Sequence, residues 1–419
     1  MEPKLKQLSG WINSLGIIIL IIFLLPPIKL PFLGKTTYGL AKILILPFLL
    51  LHPRKNLKFG SFHLALLLYF LAINFSIIFA PTTFLSFRDY STFALFSALF
   101  FFSPEIKERT IKKITIFICL FFIFIASIQK FAPSLAKILA GLILQKSDWR
   151  LTSFNLARNR VYPLGYPELF LPWLFYFFLK SKNQKKKMFY LALMAGLTLL
   201  VVFSGFRWRF LLLILAFVLY IKFNFKIKWQ TKFVPVFLFS LLVLLTIILR
   251  SAIYQRLALK TKESKNTAAS RIKMAQKSVY LWQESPLLGV GFGNWNQTAP
   301  LPFDYAGLPL FYSGFETYNE TILEIKEGWK NAHNWFFAML AETGIIGLFA
   351  TLVLAGTIFI LGIKNIHHPA GQSVLLFLFA TLFENTHLAI PALTTLLVNS
   401  YFIVPVNKIQ TQINFKKIH

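Results

Sequence analysis

The sequence predicts an all-α, polytopic integral membrane protein of about 12 transmembrane helices (10–12), with one large extracytoplasmic loop bearing short helices. Three observations predict it. The 419 residues are 56% hydrophobic and only 14% charged, where soluble domains carry about 25% charged residues. The apolar residues, 48 phenylalanines among them, come in long blocks rather than at amphipathic spacing. The net charge of +29 sits in short clusters between those blocks: HPRKNLK at 52–58, KERTIKK at 107–113, KSKNQKKK at 180–187 and KFNFKIKWQTK at 222–232. That is the pattern of cytoplasmic loops under the positive-inside rule, and it argues against a nucleic-acid partner.

Taken in order, the candidate spans are 12–28, 38–51, 59–80, 87–103, 112–131, 161–179, 188–205, 207–223, 233–250, 335–362, 371–387 and 391–406. The N-terminal segment has a basic start and an apolar core but no small-residue cleavage site before Pro26-Pro27, so it reads as a retained first span. With the N-terminus cytoplasmic, every basic loop falls on the cytoplasmic side, as do Lys364 and the tail with Lys408, Lys416 and Lys417. The expectation is therefore a multi-pass protein of the cytoplasmic membrane with both termini inside. Membrane helices fill 1–250 and 333–419, and an extracytoplasmic loop fills 251–332. Cys119 is the single cysteine and lies in an apolar run, so no intrachain disulfide can form.

This orientation leaves 131–160, the turn at 206–209 and the stretch 251–331 outside. The last holds seven of the fifteen acidic residues, so its charge is nearly balanced. Two helices can be read in it. In 268–284, Ile272, Ala275, Val279 and Trp282 recur at helical spacing as an apolar face. Pro286 and the glycines of SPLLGVGFGNW then end that helix. In 315–330, Tyr318, Ile322, Ile325 and Trp329 form a stripe, with Glu316, Glu320, Glu324 and Glu327 on another face.

Metal and nucleotide chemistry find little support. Asp89, Asp148 and Asp304 are scattered and unpaired, and no carboxylate pair on a cytoplasmic face offers the clustered oxygen ligands of a metal-bound nucleotide diphosphate. Gly289-Val-Gly-Phe-Gly293 is a lone glycine motif after a helix and a proline, a weak dinucleotide signal. No Cys/His cluster suggests zinc, and His367-His368 reads as a solvated loop. The expectation is a site with no metal and no cofactor.

Arg207 and Arg209 interrupt an apolar run in LLVVFSGFRWRFLLLIL, on the expected outer side, where short loops disfavour positive charge. One reading has them snorkel to lipid headgroups. The other starts from the lack of an acid nearby in sequence and gives them an anionic partner, for which the guanidinium fork suits phosphate. Arg271, and Arg150, Arg158 and Arg160 in DWRLTSFNLARNR, add cations on the same side. Together they point to a site for a lipid-borne phosphate or pyrophosphate.

The stretch 331–347, NAHNWFFAMLAETGIIG, heads a membrane helix with unusual residues. On a straight helix His333 and Glu342 lie on opposite faces, so Glu342 does not orient the histidine. Gly344 and Gly347 lie near the histidine's face and would admit a neighbouring helix. The uncharged run from Thr343 onward crosses the bilayer alone, which would lift His333 above the hydrocarbon by roughly 15 Å.

In their order along the chain, the arginine turn, Ser270-Arg271, SPLLGVGFGNW and HNWFFAMLAETGIIG resemble the O-antigen ligase/polymerase superfamily. The family pattern of His-Asn, nine residues and Gly-x-x-Gly is met by His333-Asn334 and Gly344-Ile345-Ile346-Gly347, with the core of the likeness at 190–362. The resemblance implies a type-C-like glycosyltransferase. It would move a glycan, without metal, from a polyprenyl (undecaprenyl) pyrophosphate to an acceptor hydroxyl of a lipid or glycan outside the cytoplasmic membrane, in surface-polysaccharide or lipopolysaccharide synthesis. It makes His333 the general base and Arg207 and Arg271 the pyrophosphate ligands. The family's Ser-Arg at the turn is Gly205-Phe206-Arg207 here, followed by Trp208-Arg209, so both arginines remain candidates. Asn334, Glu342, Glu168 and Arg158 are acceptor or structural candidates. The alternative is a transporter or flippase of lipid-linked saccharide, which would be expected to show two matching halves with groups near the midplane.

Overall fold

The computed structural model describes residues 2–25, 29–30, 35–51, 60–79, 99, 106–132, 134–135, 166–204, 207–224, 263–295, 332, 334–383 and 390–404. Eleven helices can be followed through them: α1 (Glu2–Leu24), α2 (Thr37–Leu51), α3 (Ser61–Ile78), α4 (Glu108–Phe131), α5 (Leu171–Lys180), α6 (Gln184–Ser204), α7 (Arg207–Asn224), α8 (Glu263–Glu284), α9 (Trp335–Lys364), α10 (Pro369–Thr381) and α11 (Ile390–Ile403). A 3-10 turn, Pro167–Phe170, leads into α5. Among the described residues the strands are a two-residue ladder of β1 (Lys29–Leu30) and β2 (Lys35–Thr36), antiparallel with Lys29 opposite Thr36.

The protein is a helical membrane protein. Among the described residues α3, α4 and α9 are each long and apolar enough to cross a membrane, and α1, α7, α10 and α11 contain shorter apolar stretches. α1 to α7 and α9 to α11 overlap the expected spans, whereas the span expected at 87–103 (Leu99 apart), the span expected at 233–250 and the helix expected at 315–330 lie outside the described residues. Exposed Leu64, Phe124, Phe349 and Phe359 stud the outer surfaces of these helices. In water such residues would be costly, and they suit a lipid surround.

Helix ends obey ordinary capping chemistry. α4 carries Glu108 in its first turn and Lys130 in its last, each matched to the helix dipole. α10 begins with Pro369 in its first turn, where a missing N–H costs nothing, and His368 Nδ1 accepts from the Ala370 N–H at 3.2 Å. One end of the bundle gathers the Lys180–Glu108 pair at 2.7 Å and Lys112 over the rings of Phe177 and Tyr190. At the same end His368 packs edge-on to Trp173 and stacks on Phe402.

His368 therefore departs from the solvated loop expected for it. Its ring is half-buried among aromatics and serves as an acceptor, so it must be neutral. Burial pushes it down to about 4, against a smaller opposing pull from Glu108. A histidine depressed in the folded state contributes its full stability above the unfolded value of about 6.5 and loses it as pH falls toward the folded value. Thermal unfolding in detergent should show stability declining by up to about 3 kcal/mol between pH 6.5 and 4 from this group. His368→Asn, which keeps a capping acceptor without the titration, should flatten that slope.

Candidate active site

α9 starts where the sequence says a helix can start. Asn334 is extended (φ −156°, ψ 129°), and its Oδ1 accepts from the Phe337 N–H at 3.1 Å, a side-chain N-cap. Its Nδ2 donates to the Leu382 carbonyl at 3.0 Å, tying the cap to the end of α10. His333 precedes this cap in sequence and lies outside the described residues, and so does its expected placing on the face opposite Glu342.

The helix then breaks. Gly344 has φ 64° and ψ −161°, a conformation only glycine adopts without strain, and it divides α9 into two limbs. A continuous helix would pair the N–H groups of Ile345 and Ile346 with the carbonyls of Ala341 and Glu342. All four groups take partners from the loop that follows α8. Ile345 N–H donates to Pro286 O at 2.9 Å and Ile346 N–H to Leu287 O at 3.4 Å. In return, Val290 N–H donates to Ala341 O and Gly291 N–H to Glu342 O, both at 2.9 Å.

Backbone meets backbone here, and glycine sits at both crossing points. A Cβ on Gly344 would strike the main chain of Leu287 and Leu288, and one on Gly289 would strike that of Glu342 and Thr343. Gly289, Gly291 and Gly293 all have positive φ, so GVGFG is a strap around a broken helix, and the weak dinucleotide signal has a structural explanation. The expectation that Gly344 and Gly347 admit a neighbouring helix is corrected. Gly344 admits this strap, and a Cβ on Gly347 would meet the Thr343 side chain of its own helix.

The direction of the first limb also differs from a straight helix. Trp335 Nε1 donates to Tyr69 Oη at 3.2 Å, Tyr69 Oη reaches Met339 Sδ at 3.5 Å, and Ser76 Oγ donates to Glu342 O at 2.5 Å. Residues 335 to 342 thus run in the same chain direction as residues 69 to 76 of α3. On the expected alternating topology a straight α9 would run against α3 throughout. The height of roughly 15 Å expected for His333 on a straight axis concerns a residue outside the described ones.

Glu342 is 1% exposed and turned toward the strap. Its Oε1 accepts from the Trp295 N–H at 3.3 Å. The Trp295 indole in turn donates to Ser278 Oγ of α8 at 2.9 Å and lies 4.3 Å from Lys277 Nζ, a cation–π contact. This rotates α8 away from the expected face. Met274, Lys277, Ser278 and Leu281 are buried, while Ile272 is 60% exposed and Ala275, Val279 and Trp282 are half-buried. The two polar residues go inside because Trp295 partners both. Met274, Leu281, Val290, Trp295, Ala332, Ala338 and Ala341 form one apolar cluster. Its members include Ala332, the residue before His333 in sequence, and Met274 and Leu281 of α8.

At the arginine turn, Arg207 is the first residue of α7. Arg209 is buried. Its Nη1 lies 3.3 Å from Glu168 Oε1 and 3.4 Å from Oε2, with side-chain exposures of 6% and 1%, and its guanidinium stacks 4.9 Å from the Tyr166 ring centroid. The reading of an outward cationic turn with no acid nearby is corrected for Arg209: the acid comes from another helix, 41 residues earlier. Arg150, Arg158 and Arg160 lie outside the described residues. Among the described residues no group of three His, Cys, Asp or Glu could hold a metal ion.

Two outcomes test this geometry. Gly344→Ala should cost about 2 kcal/mol or more, because it combines positive φ with a main-chain clash, whereas Gly356→Ala in the open part of α9 should be neutral or stabilising. Midpoints of thermal unfolding of the purified variants in detergent compare the two. Glu168→Ala should cost about 3–5 kcal/mol by stranding a buried guanidinium, read as loss of folded protein in the membrane, with Arg209→Ala showing a loss of the same kind.

No curated protein matches the chain. A family model described as O-antigen ligase matches residues 189–352, from within α6 through the arginine turn, α8, the strap and the break in α9. Through this segment, which carries the arginine turn, α8, the strap and the break in α9, the chain is similar to the O-antigen ligase family.

Proposed function

We propose that the protein transfers a glycan from a polyprenyl pyrophosphate carrier to an acceptor hydroxyl on the outer face of the cytoplasmic membrane, in the ligation or polymerisation of surface glycan. The family match supports a surface-glycan ligase or polymerase role. What supports the finer reading is one apolar cluster that contains Ala332 together with Met274 and Leu281 of α8. The cluster links Ala332, the neighbour of His333 in sequence, to α8, the helix whose sequence includes Arg271, two motifs far apart along the chain.

In this reading a neutral His333 takes the proton of the acceptor hydroxyl as its oxygen forms a bond to the anomeric carbon of the donor sugar. The bond from that carbon to the pyrophosphate oxygen breaks, and the leaving polyprenyl pyrophosphate keeps the electron pair. Arg207 and Arg271 hold that leaving group and neutralise the charge it gains, with no metal or cofactor assigned to the step. Arg209 is assigned to Glu168 rather than to phosphate, because that carboxylate already compensates its charge. Glu168 is assigned to Arg209 rather than to the acceptor for the same reason. Asn334 holds the start of α9 beside the proposed base.

His333→Ala and Arg207→Ala should each abolish product while membrane levels stay near wild type, a fall of about 10²-fold or more in rate. The assay supplies purified protein with a polyprenyl-pyrophosphate glycan, with and without a lipid acceptor. Chain lengthening without the acceptor marks a polymerase, and capture only by the acceptor marks a ligase. Unchanged product from His333→Ala would sink the mechanism.

A further inference from the structure

Glu342 has no part in the proposed chemistry, yet it is a carboxylate buried at the one place where α9 is broken. Burying such a group is costly unless its oxygens have partners, so its position asks for a reason. Its neighbours supply one. Its carbonyl accepts from Gly291 N–H and from Ser76 Oγ, and its carboxylate accepts from Trp295 N–H. Trp295 passes the connection to α8 through two different contacts, the indole N–H on Ser278 and the ring face on Lys277. Ser278 is itself anchored, donating to Met274 O at 3.1 Å. One residue thus joins three elements: α3, the strap and, through a single indole, the helix of Arg271.

From this we infer that Glu342 is a positioning residue for donor binding, setting α8 against the first limb of α9 so that Arg271 is presented at the correct place and angle. The inference rests on the reading of Arg271 as a pyrophosphate ligand. The carboxylate acts through the Trp295 backbone and touches no substrate. What matters is its acceptor oxygen rather than its charge. An amide in its place keeps the connection, and a methyl group loses it.

The test measures binding of undecaprenyl pyrophosphate to the purified full-length protein in detergent micelles. Glu342→Ala should weaken binding about tenfold, the scale of one lost hydrogen bond to a charged group, and Glu342→Gln should restore it to within about threefold of wild type. On an Arg271→Ala background, Glu342→Ala should add no further loss, because the effect runs through that arginine. Should Glu342→Ala fail to fold, Ser278→Ala cuts the same connection at its other end. It should weaken binding in the wild-type background and not in the Arg271→Ala one.

Wild-type affinity in Glu342→Ala, or equal losses in both backgrounds, would overturn the inference while leaving the functional reading intact. A wild-type protein that binds no undecaprenyl pyrophosphate would overturn that reading, and the positioning role with it.

Discussion

A helix broken inside a membrane protein must find partners for the backbone groups that the break exposes, because hydrocarbon offers none. At Gly344 this requirement is met by two donors and two acceptors of the 286–291 strap, each pairing with a group that the interrupted helix leaves open. Much of the candidate site depends on this exchange. It makes the loop that follows α8 part of α9 rather than an appendage to it. It demands glycine on both sides of the crossing, and it brings Trp295 to Glu342. A Pro- or Gly-induced kink with no partner would leave a flexible hinge. Here the same kink is bonded on both sides and becomes a fixed corner.

Charge is handled with equal economy. Arg209 and Glu168 neutralise each other in a nearly closed space with a tyrosine face over the guanidinium, and Lys277 lies over the Trp295 ring. Both arrangements hold a cation in place by contact with an aromatic ring. Of the two arginines in the turn, one is thereby committed to structure. What commits Arg209 is a carboxylate brought to it by the fold, which its position in sequence does not announce.

The helices and their order were legible in the sequence because a bilayer imposes a coarse rule, a long run of apolar residues with basic residues at one end. The motif HNWFFAMLAETGIIG and the glycine loop were legible as a pattern too. What the pattern could not disclose was pairing across distance. Nothing local to Arg209 announces Glu168, since the two lie on separate helices. The buried face of α8 was misread because hydrophobic periodicity assumes that polar residues face outward. Ser278 and Lys277 face inward only because Trp295 is folded back over them. Gly344 was read as a packing glycine because small residues in membrane helices usually serve that end. Two signals in combination would have shown otherwise: three closely spaced glycines in a loop, and a buried glutamate just before the glycine of a later helix.

The shared backbone between strap and α9 has a consequence for biogenesis. During synthesis the strap emerges some fifty residues before the part of α9 that it grips, and its amides at Val290 and Gly291 have no native partners until Ala341 and Glu342 arrive. The strap therefore cannot reach its final form as part of an independently folding domain. It waits for a late membrane helix to insert, and the assembly of this corner is one of the closing steps in making the protein. A chain stopped before α9 would carry α8, the strap and the arginine turn, yet lack the template that gives them their arrangement.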